Sequence, residues 1–228
     1  YMQARIELGQ LNRQEALRYM GHGGAEPDDR LLALIEQCER EVLDAAQPRF
    51  VYRVCEIENE SRGVAVKGTS LVLTGNSIRE HLSGCERAVL MAVTVSAGID
   101  RLIRIAQLED MAKAVVIDSL ASVAVEQACD RAEEIIRTEN PGYYQTFRFG
   151  LGHGDLPVSL QGAFLNVLNA PKQIGLNVSA SDMLTPTKSV TAVIGLSREP
   201  VSAKARGCQT CSMRDTCKFR QKGGRCNG

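Results

Sequence analysis

The stretch of sequence that decides the fold covers residues 108–142 and reads LEDMAKAVVIDSLASVAVEQACDRAEEIIRTENPG. Apolar residues recur along it at the three- and four-residue spacing of one helix face, with no glycine or proline before Pro141. Pro141 and Gly142 then supply a strong stop signal. We therefore predict one long helix, and the small side chains on its central face, residues 121–128, would let another group approach its backbone closely.

Helix and strand patterns alternate before this long helix. Short runs rich in β-branched and aromatic residues predict strands, and longer segments with apolar residues at helical spacing predict helices. The predicted helices cover residues 13–20, residues 27–45 and a short segment from 76 or 77 through 82. The predicted strands cover residues 50–57, 63–67, 70–74 and 87–96, of which the first three would be adjacent and antiparallel and the last buried.

After the long helix the pattern predicts a short strand ending at Phe149, a glycine-rich loop, a helix at 159–168 and strands at 175–183 and 189–197. The fold class we expect is α+β, with a largely antiparallel sheet packed with helices that include one long central helix. The expected domains are an N-terminal helical segment packed on the main domain (1–48), the α+β domain (49–200) and a basic cysteine-rich tail (201–228).

Composition excludes several classes of protein. The 27 basic residues balance the 27 acidic ones, so the chain has no overall field to attract nucleic acid or an anionic membrane. Charges and glycines interrupt every apolar stretch well before the roughly 20 residues that a bilayer requires, and no signal-peptide pattern is visible. We expect a soluble, cytoplasmic protein with neither a nucleic-acid nor a membrane partner.

The eight cysteines fall into two groups. Four lie inside apolar patterns, where a free cysteine behaves as a small hydrophobe: Cys38, Cys55, Cys85 and Cys129. The other four are the candidate metal ligands, and they lie close together near the end of the sequence: Cys208, Cys211, Cys217 and Cys226. Four thiolates suit zinc or an iron–sulfur cluster about equally, and the surrounding Lys and Arg residues favour the thiolate form. The alternatives are a disordered basic tail with unligated thiols, or disulfides formed on oxidation.

The loop at residues 150–157 reads GLGHGDLP, and Arg148 stands two residues before it. Its three glycines permit positive φ angles and close approach of a ligand to bare backbone. Arg148 and Asp155 place opposite charges at the two ends, which would suit a zwitterion such as the amino-acid part of S-adenosylmethionine. The alternative is a tight turn before a helix that Asp155 helps to cap.

Glu126 is the second candidate, in the middle of the long helix. A carboxylate among Val123, Ala124, Val125 and Ala128 is costly to bury unless it meets a cation, and a ligand ammonium group would supply one. The alternative is a surface glutamate paired with a lysine or arginine one turn away.

Three segments in the same order resemble the reactivation domain of cobalamin-dependent methionine synthase, and especially its stand-alone bacterial form. They are residues 148–157, the helical segment from Asp118 through Glu126 to Arg131, and residues 185–190, which read TPTKSV. The resemblance covers roughly residues 54–196, and the N-terminal helices also look like those of the stand-alone relatives.

The resemblance implies that the loop and the long helix bind S-adenosylmethionine. Glu126 would meet the amino group, Arg148 the carboxylate and Gly150 the ligand through its backbone, with Gly152 and His153 in the same loop. The implied function is reductive methylation of cob(II)alamin held by a corrinoid methyltransferase, most plainly methionine synthase in methionine biosynthesis. A donor such as flavodoxin would supply the electron, and no catalytic acid or base is needed.

The chain departs from the family pattern in four places. Leu151 stands where the family has proline and His153 where it has tyrosine, while an N-terminal aspartate and a tyrosine after Ser197 have no counterpart. These departures would weaken or abolish the affinity for S-adenosylmethionine.

A second hypothesis is a non-enzymatic partner or electron-transfer module for another corrinoid methyltransferase, which would use the basic cysteine tail. A nucleic-acid-binding zinc module is a third, resting only on the positive tail.

Overall fold

The computed structural model describes residues 2–22 and 26–201, with backbone alone at residues 2–5. The helices are α1 (Arg13–Tyr19), α2 (Asp29–Ala45), α3 (Asn76–His81), α4 (Ala97–Glu109), α5 (Met111–Glu139), α6 (Gln161–Leu168) and α7 (Ala170–Ile174). The strands are β1 (Met2–Arg5), β2 (Arg49–Glu60), β3 (Gly63–Val66), β4 (Val72–Thr74), β5 (Arg87–Thr94), β6 (Tyr144–Gln145), β7 (Phe149–Gly150), β8 (Asn177–Val178), β9 (Leu184–Thr185) and β10 (Ser189–Ser197).

The main sheet has the strand order β4-β3-β2-β5-β10-β6. β1 adds to β2 and β7 adds to β10, while β8 and β9 form a separate pair. Each strand pairing in the described part of the chain is antiparallel. β5 and β10 have paired strands on both edges, and both are buried over most of their length, with β5 reading as a nearly continuous apolar run.

Helices cover both faces of this sheet. Side chains alternate between the two faces along each strand, and in the central strands both sets are apolar, so both faces must be covered. In β5, residues 89, 91 and 93 face a core shared with α2, α4 and α5. Residues 88, 90 and 92 face a second core shared with α3, α6 and α7. The expected α+β fold with a largely antiparallel sheet and a long helix is confirmed.

Small residues let α5 pack closely on the sheet and its neighbouring helices. Ala121, Ala124 and Ala128 are fully buried within its 29-residue length. At its start, the Asp110 carboxylate accepts the backbone N–H of Ala112 at 2.8 Å and so caps the helix. The groups that approach the backbone of α5 closely along residues 121–128 are therefore other parts of the protein, including β5 and β10.

Two predicted elements differ from the observed ones. Leu108 belongs to α4, which the sequence analysis did not predict, because a single extended residue, Asp110, separates α4 from α5 without a glycine or proline. The predicted strand at 175–183 is wrong over most of its length. Gly175 ends α7 in the left-handed region, strand pairing is confined to β8, and a turn follows in which Ser179 N–H bonds the Met183 carbonyl.

The N-terminal segment shares the main core. β1 pairs with β2, and α2 packs against α5 through Ile35, Cys38 and Val42, all fully buried. The boundary at residue 48 stays a prediction. Among the described residues, no helix combines the length and apolar character needed to cross a membrane.

Candidate functional site

Arg148 lies at the centre of a charged cluster on α5. Its side chain is only 5% exposed, and its guanidinium contacts Glu126 at 2.5 Å, Asp130 at 2.6 Å and also Glu133. The three carboxylates share one face of α5 because they are spaced four and three residues apart. The long helix thus presents an acidic surface to the segment that precedes the glycine loop.

The cluster carries an excess of negative charge. One guanidinium, which stays charged at any ordinary pH, faces three carboxylates. Burial of the arginine requires such partners, since an unpaired buried cation is very costly. Glu126 and Asp130 remain 42% and 63% exposed, so the cluster is open to solvent on its carboxylate side.

The structure therefore brings together the two residues on which the sequence hypothesis depends. Glu126 and Arg148 touch directly, whereas the hypothesis placed a ligand between them. Their roles in binding stay a prediction. The cation that pairs with Glu126 is Arg148, which precedes the glycine loop. The alternative hypothesis predicted a lysine or arginine one turn away along α5.

Internal hydrogen bonds determine the shape of the glycine loop. Gly150 lies in β7 opposite Ala192, and its carbonyl accepts the backbone N–H of His153 at 3.1 Å. The His153 ring packs so close that a Cβ at position 150 would lie 2.6 Å from its Nδ1. Gly152 has a φ of +90° and donates its N–H to the Leu156 carbonyl at 2.9 Å. The positive φ of Gly152 favours glycine for this backbone path, whereas at Gly150 a side chain would displace the His153 ring.

Asp155 serves a different helix from the one expected. Its carboxylate accepts the N–H groups of Asn76 at 2.7 Å and Ser77 at 2.9 Å, and so caps α3 from outside, while the helix that follows the loop has no such cap. These two backbone donors hold the pKa of Asp155 below its usual value. Arg148 and Asp155 therefore face separate elements, so the loop does not present the pair of opposite charges that its sequence suggests.

His81 is a neighbour of the loop that sequence reasoning missed. Its Nε2 lies 2.8 Å from Thr146 Oγ1, and its ring contacts Phe147 at 4.6 Å and Phe149 at 4.9 Å between centroids. Burial lowers the pKa of His81 to about 4, although a hydrogen bond to the Phe147 backbone opposes the shift. The ring is neutral at physiological pH.

A groove of about 510 Å³ lies beside the charged cluster. Its lining combines the N-terminal segment with one face of α5: Glu7, Leu8, Gly9, Gln127, Asp130 and Arg131. Asp130 belongs both to this lining and to the set of carboxylates on Arg148. A ligand in the groove would therefore contact the cluster directly.

The N-terminal wall of the groove is held by side chains from two helices. Gln127 on α5 accepts the N–H of Asn12 at 2.9 Å and donates to the carbonyl of Gln10 at 3.2 Å. Glu39 on α2 is 4% exposed and accepts the N–H of Leu11 at 2.8 Å. These contacts order a segment that has no regular secondary structure.

Tyr19 is another nearby residue without a sequence signal. It lies at the end of α1 and is 42% exposed, with the Arg18 guanidinium 4.7 Å from its ring centroid. Burial raises the pKa of Tyr19, and the carboxylates of Glu126 and Glu15 raise it further. The phenol therefore stays protonated and able to donate a hydrogen bond near the cluster.

Three of the four internal cysteines, Cys38, Cys55 and Cys129, are buried in the hydrophobic cores as predicted, whereas Cys85 is only partly buried. Cys129 is fully buried on α5, and burial raises the pKa of its thiol well above the ordinary value. No group of three or more His, Cys, Asp or Glu side chains within 2–22 and 26–201 is arranged to hold a metal ion. The four cysteines predicted to bind metal, at positions 208, 211, 217 and 226, lie outside the described residues.

Comparison with solved structures identifies the fold. The chain is similar to the MetH reactivation domain bound to AdoHcy, with a TM-score of 0.58 and 15% sequence identity. The match covers 98% of this chain and 86% of that one. This chain has the MetH reactivation domain fold. No protein-family model matches the sequence, and no curated protein matches it either.

At 15% identity the likeness establishes the fold and nothing finer. It covers nearly the whole chain, so the long helix, the sheet and the loop segments belong to one shared architecture. The finer assignment to a stand-alone bacterial form of that domain stays a prediction.

Proposed function

We propose that this chain binds S-adenosylmethionine and reactivates a corrinoid-dependent methyltransferase, most directly a methionine synthase. The observation that carries the proposal is the contact between Glu126 on α5 and Arg148 before the glycine loop, in a chain with the MetH reactivation domain fold. The solved neighbour is bound to AdoHcy, the demethylated form of the same ligand. We further propose that the protein works in the cytoplasm.

Charge complementarity supports this ligand class. S-adenosylmethionine carries a sulfonium and an ammonium group against one carboxylate, so its net charge is positive. The cluster of Glu126, Asp130 and Glu133 around one guanidinium is net negative and partly open. A cationic ligand would therefore be attracted to it, and its ammonium would meet the exposed carboxylate of Glu126.

The carboxylate of the ligand would have to displace a resident partner of Arg148. Asp130 is the most exposed of the three carboxylates, at 63%, and it also lines the groove, so it is the easiest to displace. Glu133 is only 17% exposed and would stay on the guanidinium. Binding would thus exchange one carboxylate on Arg148 for another.

The role of the chain in the reaction is orientation. A reduced corrinoid on the partner would accept the methyl group from the sulfonium sulfur, after a donor such as flavodoxin has supplied one electron. The residues of this chain would fix the amino-acid end of the ligand so that the methyl group points outward, which removes much of the entropic barrier. No side chain needs to transfer a proton.

A reactivation assay tests the proposal. Anaerobic cob(II)alamin-loaded methionine synthase that lacks its own reactivation domain would be mixed with this protein, S-adenosylmethionine and reduced flavodoxin, and the visible spectrum followed. We expect methylcobalamin to form only when all components are present, and more slowly with Glu126→Gln. A spectrum that changes equally without this protein contradicts the proposal.

We also propose that the cysteine tail binds zinc or an iron–sulfur cluster, a proposal that rests on the sequence: four cysteines close together, a Cys-x2-Cys pair among them and basic residues around them. Metal analysis and a visible spectrum of anaerobically purified protein test it. A brown, iron-containing sample would favour the electron-transfer hypothesis, whereas a colourless zinc sample that binds S-adenosylmethionine favours the reactivation role. Metal-free protein would contradict the tail proposal.

A further inference from the structure

The short helix α3 contacts the segment that carries Arg148 at both of its ends. At the N-terminal end, Gly75 provides no side chain to cap the helix, and the Asp155 carboxylate takes that place by accepting the Asn76 and Ser77 N–H groups. Gly154 packs so tightly there that a Cβ at its position would lie 2.5 Å from Ser77 Oγ. The end of the glycine loop is thereby attached to the start of α3.

At the C-terminal end, the His81 ring lies against the residues on either side of Arg148. It contacts Phe147 and Phe149, and its Nε2 is within hydrogen-bond distance of Thr146 Oγ1. Thr146 Oγ1 in turn accepts the N–H of Gly195 on β10 at 2.8 Å. One histidine thus joins α3, the strand that precedes the loop and the central sheet.

The alternation of an extended chain links these contacts to Arg148. Phe147 and Phe149 point to the α3 side, so the side chain between them points to the opposite side, where the α5 carboxylates lie. Any rotation of this segment would move the guanidinium out of the carboxylate cluster. Contacts on one face therefore determine the position of a charge on the other.

The protonation states suit this role at physiological pH. The neutral His81 ring packs between aromatic neighbours without bringing in an unpaired buried charge. The ionised Asp155 carboxylate accepts both helix N–H groups and interacts favourably with the helix dipole. Neither side chain belongs to the carboxylate cluster or lines the groove.

We propose that α3 is a brace, with His81 and Asp155 as positioning residues that hold Arg148 and the glycine loop in the arrangement that receives the ligand. This inference rests on the proposed function. Without the contacts to α3, only its internal hydrogen bonds would order a loop that has three glycines within residues 150–154, and any further ordering on binding would reduce affinity. Because the brace orders the loop in the free protein, ligand binding does not have to supply the free energy of ordering it.

Substitutions at His81 and Asp155 test the brace at pH 7.5. We expect His81→Ala and Asp155→Ala each to weaken S-adenosylmethionine binding by about 10-fold, measured by isothermal titration calorimetry. His81→Phe should recover most of the affinity because it keeps the ring contacts, and Asp155→Asn should recover part because its amide oxygen still accepts one N–H. Arg79→Ala, an exposed change on the same helix, is the matched control and should bind as the wild type does.

The Arg148 Nε–H resonance in a ¹⁵N–¹H correlation spectrum provides a readout that needs no ligand. We expect it to shift in His81→Ala and to return towards the wild-type position in His81→Phe. An unchanged resonance and unchanged affinity in His81→Ala and Asp155→Ala would overturn the brace. If His81→Ala fails to fold, equal affinities for Asp155→Ala and wild type would do so. If the wild type binds no S-adenosylmethionine, the proposed function fails, and the resonance still decides whether the brace positions Arg148.

Discussion

Arg148 is the residue on which the site depends, because it neutralises part of the charge of three carboxylates that α5 places together. Without it, Glu126, Asp130 and Glu133 would repel one another beside a buried surface. The same guanidinium is the group that we expect to receive the ligand carboxylate. Stability and the proposed binding therefore depend on the same side chain.

We predict that Arg148→Met lowers the free energy of unfolding by about 2 kcal/mol, because it leaves the partly buried Glu133 without its charge partner. Arg148→Lys should have a free energy of unfolding between those of the wild type and Arg148→Met, since a single ammonium group cannot replace the planar guanidinium. Urea unfolding at pH 7.5 measures both. The exposed pair of Arg40 and Glu36 on α2 supplies the control, and Arg40→Met should change stability by less than about 0.5 kcal/mol. Equal losses for both methionine variants would contradict this account.

The lowered pKa of His81 should make the stability of the protein depend on pH. Its pKa is about 4 in the folded protein and near 6.5 when exposed, so between these values the unfolded chain binds more protons than the folded one. Stability should therefore fall as the pH decreases from about 6.5 to 4. At pH 4.5, His81 alone should lower the free energy of unfolding by on the order of 2 kcal/mol relative to neutral pH. Above pH 7 it should contribute no pH dependence.

Denaturant unfolding of wild type and His81→Phe at pH 7.5, 5.5 and 4.5 tests this expectation. The variant lacks the titrating ring, so its stability should decrease less over this interval. Parallel pH profiles for the two proteins would show that His81 ionises as freely in the folded state as in the unfolded one.

At the scale of elements, the glycine loop and α3 depend on each other through a close contact. Gly154 and Gly84 both have positive φ angles, but only Gly154 has a neighbour, Ser77, within contact distance of an added Cβ. Alanine substitutions at these two glycines therefore distinguish the cost of backbone strain from the cost of a steric clash with α3.

We predict that Gly84→Ala costs about 1 kcal/mol through its backbone alone, and that Gly154→Ala costs at least about 1 kcal/mol more. Ser77 Cβ would lie 2.7 Å from the added methyl group and cannot rotate away. Thermal unfolding followed by circular dichroism compares the two variants. If they lose the same stability, the loop does not pack against α3 as described.

Much of the architecture follows from sequence periodicity, because the buried faces of α5 and β5 repeat over many residues. The boundary between α4 and α5 does not, since one extended aspartate interrupts the pattern without a glycine or proline. The strand order also depends on contacts between distant segments. Glu126 and Arg148 could be nominated from motifs, whereas the contributions of Asp130, Glu133 and His81 arise only when α5, β7 and α3 come together.

At the scale of the whole molecule, the N-terminal segment completes one of the two cores. β1 extends the sheet, α2 covers α5, and Gln127 and Glu39 hold residues 10–12 in place. The groove beside the cluster has this segment as one wall. The segment therefore forms part of the groove at the proposed site and also contributes to the core.

We predict that a chain without residues 1–48 loses cooperative unfolding, because the apolar face of α5 that packs on α2 becomes exposed. A chain without residues 202–228 keeps every described core residue and should unfold cooperatively. Differential scanning calorimetry of both truncations checks this. A cooperative transition near that of the full chain after removal of 1–48 would show that the main domain folds alone.

The most direct test of the central claim is isothermal titration of S-adenosylmethionine into the wild-type protein, Glu126→Gln and Glu36→Gln. Glu126 lies at the proposed site, whereas Glu36 is an exposed, salt-bridged glutamate on α2. We predict one saturable site in the wild type, affinity reduced by at least about 10-fold in Glu126→Gln, and no change in Glu36→Gln. Absence of binding to folded wild-type protein, or equal affinity in all three, would contradict the account.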